Sequence, residues 1–192
     1  MTGAGIEVPH EAHYMARADG GVAVNETVEI PGTLADLARV GTVMEIAAGF
    51  EALRWFGSGP VETYPDRKRG GTVGRWDSTV TEQYVPYIRP QENGGHADVR
   101  WFEVADPNGV GIRFDLGTPG QVSALHFRAA DLATATHDVD LRPRSETTVH
   151  LDAMHRGLGT ASCGPDTLPR YLIESGTIRW SWTIHALDGG VA

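Results

Sequence analysis

Apolar and polar residues alternate with a period of two in run after run of this chain, and turn residues close most runs. Val22, Val24, Glu26, Val28 and Ile30 share one face of an extended segment, and Pro31-Gly32 stops it. Ala23, Asn25, Thr27 and Glu29 occupy the other face. Successive side chains of a strand point to opposite sides, so this pattern specifies a half-buried β-strand. Further extended runs cover 40–46, 52–56, 99–105, 111–116, 123–128, 147–154, 171–175 and 177–186. Asp106-Pro107-Asn108-Gly109 is a tight-turn sequence that joins 99–105 to 111–116 as a hairpin. Gly176 reads as the turn of a second hairpin, between 171–175 and 177–186. Helical spacing is confined to two short windows, 33–38 and 131–136, too short to organise a fold. Strands do not alternate with helices, which argues against a parallel α/β sheet. The expected fold is all-β: a large antiparallel β-sandwich with long irregular loops.

Length supports one such unit. The 192 residues suit a single domain, and 41% hydrophobic content excludes wholesale disorder. Residues 1–13 read as a flexible lead-in, and 14–192 as the sandwich domain. Two segments lack alternation and read as loops: 57–95, rich in Gly, Pro, Tyr and charge, and 157–169, rich in Gly, Ser, Thr and Pro. Loops that long inside a compact domain are usually functional or packed against something. The formal charge of −9 argues against nucleic acid and anionic membrane surfaces as partners. No apolar run reaches the length of a membrane span, and no signal peptide opens the chain, so a cytoplasmic location is expected. The single cysteine, Cys163, forms no internal disulfide and builds no Cys-based zinc site.

Several groupings invite a chemical reading, and each has a plainer structural one. His10 and His13 resemble a metal pair but fall in the lead-in, so no metal site is expected. The acid pairs Glu62/Asp66, Asp77/Glu82 and Asp138/Asp140 contain the residue types of glycoside hydrolysis, which needs two carboxylates across one bond. Spacing alone does not place them so. Arg67, Arg69, Arg75 and Arg89 lie among them, and Arg–carboxylate bonding would pin a long loop without catalysis. Ser162-Cys163 has no nucleophile elbow around it, although His155 lies upstream. Trp55, Tyr64, Trp76, Tyr84 and Tyr87 gather on the long loop, as aromatic faces do in sugar sites. Such rings equally anchor an irregular loop to a core.

Longer words in the sequence are more specific. The run from Trp55 through Gly57, Gly59-Pro60, Glu62 and Tyr64-Pro65-Asp66-Arg67 resembles a segment of the large five-domain β-galactosidases of glycoside hydrolase family 2. The likeness continues through Arg75-Trp76-Asp77 and Tyr84-Val85-Pro86-Tyr87-Ile88-Arg89-Pro90-Gln91-Glu92-Asn93-Gly94. It resumes at His155-Arg156-Gly157-Leu158-Gly159-Thr160-Ala161-Ser162-Cys163-Gly164-Pro165. It covers residues 14–187 and matches the C-terminal portion of the last, small-chain domain (domain 5).

The resemblance implies a galactose-mutarotase-like supersandwich. It implies a parent enzyme that hydrolyses terminal β-D-galactosides such as lactose with retention. The family's two catalytic glutamates and its divalent cation, magnesium, lie in a (β/α)8 barrel outside this sequence. No catalytic residue, metal site or cofactor is therefore expected in this chain, and alone it should be inactive. The implied partners are the remaining domains, above all the barrel, and the galactoside; the parent is expected to be a homo-oligomer. The loop around His155, Ser162 and Cys163 matches one that reaches the active-site mouth. Some members place a sugar-binding tryptophan at the position of Cys163, and a thiol offers no ring face. Trp55, Glu62, Tyr64, Asp66, Arg67, Trp76, Asp77, Glu92 and Asn93 read as anchors of the long loop. The match starts part-way into the domain, which leaves 22–30 as a sheet edge without its partner, a site of self-association. Two other functions stay open: a stand-alone carbohydrate-binding module with a groove lined by Trp55, Trp76 or Trp101, and a mutarotase-like epimerase using His126 or His155 with Glu103.

Overall fold

A computed structural model describes residues 2–3, 5–161 and 163–189. Its strands are β1 (Thr2–Gly3), β2 (Ile6–Glu7), β3 (His10–Ala16), β4 (Val22–Ile30), β5 (Arg39–Ile46), β6 (Ala52–Gly59), β7 (Thr72–Thr79), β8 (His96–Ala105), β9 (Val110–Leu125), β10 (Thr147–His155) and β11 (Gly176–Asp188). One short helix, α1 (Ala129–Thr134), follows β9. β1 and β2 pair with each other; the other nine strands form one antiparallel sheet in the order β3-β4-β11-β9-β8-β6-β7, with β10 and β5 branching from β9. The fold is all-β, as the alternation predicts.

The branch is made by β9. Along one side the 16-residue strand runs beside β8. On the other it changes partners: residues 110–116 pair with β11, and 121–125 pair with β10. The exchange falls at Gly117-Thr118-Pro119-Gly120. Proline has no N–H to give a ladder, so it suits the stretch where β9 has no neighbour on that side. Gly120 is required for a different reason: a Cβ there would lie 2.7 Å from the Asp152 carbonyl oxygen of β10. Beside a smaller cluster of Val28, Ile30, Val40 and Ile173 and another that includes Leu132 of α1, the two branches share one main core with β6, β8 and β9. Val24, Ile46, Leu53, Trp55, Phe102, Phe114, Val122, Val149 and Trp182 meet there. A fully buried side chain of this size contributes roughly 1.5–3 kcal/mol.

One polar group sits at the seam between the branches. Glu26, on the inward face of β4, is 6% exposed. Its carboxylate accepts from the Trp182 indole on β11 at 2.7 Å and from the Thr42 hydroxyl on β5, and it lies 2.9 Å from the His10 ring on β3. A buried carboxylate is tolerable only when its oxygens are satisfied, and here three strands supply the partners.

The structure corrects the sequence reading in several places. Residues 10–13, expected in a flexible lead-in, belong to β3, which pairs with β4 from His10↔Val28 to Ala16↔Val22. β4 therefore lies between β3 and β11 and is not an open edge. On that side the edge is β3, where Tyr14 is 69% exposed. Alternation failed to reveal β3 because nearly all its side chains are exposed. Residues 72–79, read as loop, form β7 in register with β6 from Ala52↔Thr79 to Gly59↔Thr72. The inward positions of β7 include Gly74 and Ser78, so its alternation is not hydrophobic. Residues 171–175 form no strand; a 3-10 turn at Pro169–Tyr171 leads into them, and β11 pairs instead with β4 and β9. The 33–38 window is not helical.

Gly120→Ala is expected to destabilise the chain by about 1–3 kcal/mol through the clash with the β10 backbone. Pro119→Ala should be close to neutral. Urea unfolding of both variants, compared by midpoint at equal slope, checks this.

Candidate functional site

The two irregular segments lie against each other at the end of β10. The first begins where β6 ends. Tyr64 and Arg67 close a tight turn, with the Arg67 N–H donating to the Tyr64 carbonyl at 2.8 Å. Tyr64 is fully buried. Its hydroxyl accepts from the Gly95 N–H at 3.2 Å and donates to Glu62 at 3.5 Å. Glu62 also accepts from the Gly94 N–H at 2.9 Å, from the Tyr87 hydroxyl and from Arg67 at 3.5 Å. Asn93, 1% exposed, accepts from the Val85 N–H at 3.1 Å and donates to the Gln91 carbonyl at 2.9 Å. These contacts satisfy the backbone polar groups of a segment that has few ladder bonds of its own.

Asp66 joins the two segments. One carboxylate oxygen accepts from the Leu158 N–H at 3.1 Å and the other from the Gly159 N–H at 2.8 Å. Arg156 holds the same loop from its other side. Its guanidinium makes a two-point contact with Asp36, donates to Asp166 at 3.1 Å and donates to the Gly157 carbonyl at 3.1 Å and the Thr167 hydroxyl at 2.6 Å. Both ends of the loop are therefore pinned by charge-assisted bonds. Between them the tip is exposed. The Cys163 N–H donates to the Thr160 carbonyl at 2.9 Å, and the Cys163 thiol is free and exposed. Ser162 lies outside the described residues.

Beneath the loops is a buried ionic network. A register shift in β10 between Asp152 and Met154 brings Asp152 and His155 to the same side, facing Arg39 of β5. Arg39 donates to Glu92 and to the His155 ring, the latter at 3.2 Å, and lies 3.6 Å from Asp152. The other nitrogen of His155 donates to the Arg156 carbonyl at 2.6 Å, so both ring nitrogens are engaged. Tyr64 packs on the ring with centroids 5.4 Å apart. Burial pushes the Asp152 carboxyl up to about 6, although Arg39 opposes this. Burial, with the Arg39 charge adding, holds the His150 ring down at about 4. Burial pushes Glu92 upward too, but His155 and Arg39 outweigh it and keep that carboxyl below its ordinary value.

The remaining sequence candidates lie elsewhere. Trp55 is a core residue whose indole donates to the Ser58 carbonyl at 3.0 Å. Trp76, opposite it on β7, donates to the Gly57 carbonyl at 3.1 Å. Trp101 is capped by the Arg113 guanidinium 4.6 Å from its ring centre. These tryptophans do not line a shared groove. Asp77 pairs with Arg54 on the exposed face of the β6–β7 ladder. Glu103 is bonded to Arg113, and His126 to Glu51, so neither histidine proposed for an epimerase meets Glu103. Sequence reasoning missed Arg39, Arg156 and Asp152 as members of the network. Arg39 and Asp152 gave no signal but charge, and Arg156 stood in the 155–165 run without a partner near in sequence.

Two expectations follow from this arrangement. Asp66→Ala removes the acceptor of two loop amides, and a hydrogen bond to a charged group is worth about 1.5–3 kcal/mol. Amide exchange at Leu158 and Gly159 should accelerate at least about tenfold, with exchange in the β4–β11 ladder unchanged. The second concerns acid. His150 and the buried His96, also held down to about 4 by burial, stay neutral in the folded chain and take up protons on unfolding. Their contribution is complete above about pH 6.5 and is lost as pH falls toward 4, at up to about 3 kcal/mol each. Asp152 acts with the opposite sign: its raised value favours the protonated form, so its contribution is present below about pH 4 and lost as pH rises through 6. Two groups outweigh one, so stability should fall on acidification from pH 6.5 to 4. His96→Asn should flatten that limb in denaturant titrations.

The chain can now be set beside known proteins. A family model described as beta galactosidase small chain matches residues 3–184. A beta-galactosidase of Arthrobacter sp. is 35% identical over 147 residues, covering 71% of this chain and 14% of that protein. Beta-galactosidase BgaC of Bifidobacterium adolescentis is 34% identical, covering 80% of this chain and 15% of its own length. A beta-galactosidase of Vibrio cholerae is 31% identical over 173 residues, covering 89% of this chain and 16% of its own. The chain thus spans about one seventh of the length of these relatives. With an all-β sheet, the two pinned loops and a family match over nearly every residue, this chain belongs to the β-galactosidase small-chain family.

Proposed function

We propose that this chain is the C-terminal part of a retaining β-galactosidase of glycoside hydrolase family 2, and that it serves as scaffold and active-site-edge loop. The parent would hydrolyse terminal β-D-galactosides such as lactose. The observation that carries this is the loop pinned by Asp66 and Arg156, with Cys163 exposed at its tip, in a chain one seventh the length of its relatives. A tip fixed at both ends but uncovered in the isolated domain is suited to meet a neighbouring surface. The carboxylates nearby are already committed. Glu62, Asp66 and Glu92 each accept from N–H or O–H groups of the scaffold, which supports a positioning role rather than proton transfer at a glycosidic oxygen.

On this view the nucleophile and the acid/base belong to a barrel domain outside the chain, and so does the divalent cation. Among the described residues no three His, Cys, Asp or Glu side chains are placed to hold a metal ion. The partners are the remaining domains, with the galactoside bound between them and this loop. The parent is proposed to be a homo-oligomer. We place the protein in the cytoplasm; its free, exposed cysteine supports this. No helix of the described residues is long and apolar enough to cross a membrane.

Hydrolysis of a chromogenic β-galactoside tests the proposal. The 192-residue chain alone should show no turnover above a matched blank. Mixed with the rest of its parent polypeptide it should restore activity, and Asp66→Ala should lower the restored kcat/KM by about tenfold through loss of loop position. Turnover by the chain alone would overturn the proposal.

A further inference from the structure

The turns at 64–70 and the 3-10 turn at Pro169–Tyr171 enclose a cleft of about 670 Å³. Arg67, Lys68, Arg69 and Arg170 all line it, in a chain whose net charge is −9. Two of these cations have carboxylate partners: Arg67 lies 3.5 Å from Glu62, and Lys68 lies 2.7 Å from Asp98. Arg69 and Arg170 have none among the described residues; the Arg170 guanidinium rests over the Tyr171 ring, 4.8 Å from its centre. The acids of this face line the same clefts but bond groups other than Arg69 and Arg170. Asp66 holds the loop amides, and Asp166 bonds Arg156 and the Thr167 N–H. The cleft thus carries four cations against the Glu62 and Asp66 carboxylates that also line it, and with Arg67 and Lys68 paired the excess positive charge rests on Arg69 and Arg170, where an incoming anion is favoured.

The shape of the donors narrows the anion. A guanidinium offers a planar fork that matches the paired oxygens of a phosphate or sulfate. The cleft adjoins a second cavity of about 310 Å³, which shares Asp66, Arg67, Arg170 and Tyr171 and extends along Thr160 and Asp166. Hydroxyl and carboxylate groups there suit the hydroxyls of a sugar ring. We propose that this double cleft binds a sugar bearing a phosphate or sulfate ester, with Arg69 and Arg170 holding the oxyanion. The oxyanion half stands on this chain alone; the choice of galactose as the sugar rests on the β-galactosidase reading, in which the site selects anionic galactosides beside the loop of Cys163.

Titration calorimetry on the 192-residue chain tests this, with galactose 6-phosphate, galactose 6-sulfate, galactose and inorganic phosphate as probes. At least one ester should bind about tenfold or more tightly than both galactose and inorganic phosphate, and the preferred ester names the source of the oxyanion. The Arg69→Ala/Arg170→Ala pair should lose that advantage, and the Arg69→Lys/Arg170→Lys pair should keep part of it. Arg54→Ala, a distant loss of charge, should keep all of it. Circular dichroism checks that the variants stay folded; both arginines are exposed. Failure of both esters to bind, binding no tighter than inorganic phosphate, or an advantage that survives in the alanine pair would each overturn the proposal. The readout is binding without turnover, so its failure leaves the β-galactosidase reading standing, and turnover by the isolated chain overturns that reading without touching this one.

Discussion

The exchange of partners along β9 is the constraint from which the rest of the structure follows. One strand carries β8 on one side and two successive neighbours on the other, β11 for residues 110–116 and β10 for 121–125. On the exchanging side the strands hang from one half or the other: β4 and β3 from β11, and β5 from β10. Because both branches leave the same strand, their inward faces contribute to one main core, and β4 and β5 meet again in a smaller cluster of Val28, Ile30 and Val40. The Glu26 carboxylate, bonded to β11 and β5 at once, marks where they meet. A carboxylate in that position is a poor source of stability but a strict one of register, because a one-residue slip of β4 would turn it outward and strand the buried Trp182 indole N–H.

The same geometry explains why the charged groups gather where they do. The end of β10 lies beyond the apolar core, where the register shift after Asp152 turns polar side chains toward the two irregular segments. Segments without ladder partners must find acceptors and donors elsewhere, and the side chains of Glu62, Asp66, Asn93 and Arg156 provide them. Arg39 then carries the charge balance of the buried part, facing Glu92, Asp152 and His155 together. A rigid loop on such a base costs little further ordering when a second surface meets it, which is the property an active-site edge requires.

Much of this was legible in the residues, and the parts that were not share a cause. β4, β5 and the β8–β9 hairpin could be read directly, because hydrophobic alternation and the Asp106–Gly109 turn are local signals. β7 was hidden by Gly74 and Ser78 on its inward face, and β3 by exposure of nearly all its side chains. Residues 171–175 carry apolar side chains of which only Ile173 is deeply buried, so composition suggested a strand that pairing does not make. At the site, the words around Glu62, Asp66 and Glu92 identified one half of each contact. Their partners lie 53 residues away for Arg39–Glu92 and 92 for Asp66–Leu158, distances over which only the folded topology decides who meets whom.

The acidic composition sharpens the meaning of the basic cleft. Among the described residues of a chain with 25 acids and 16 bases, eight of the fifteen arginines lie within ion-pair distance of a carboxylate. Arg69 and Arg170 are among the seven that do not, on the face where Asp66 and Asp166 are bonded to backbone amides and to Arg156. The loop is thus pinned by carboxylates that bond its amides and Arg156 rather than the two unpaired arginines of the cleft. Pinning the loop and leaving a positive field beside it are one arrangement of the same acids, so a change at Asp66 that loosens the loop also alters the field an anionic ligand meets.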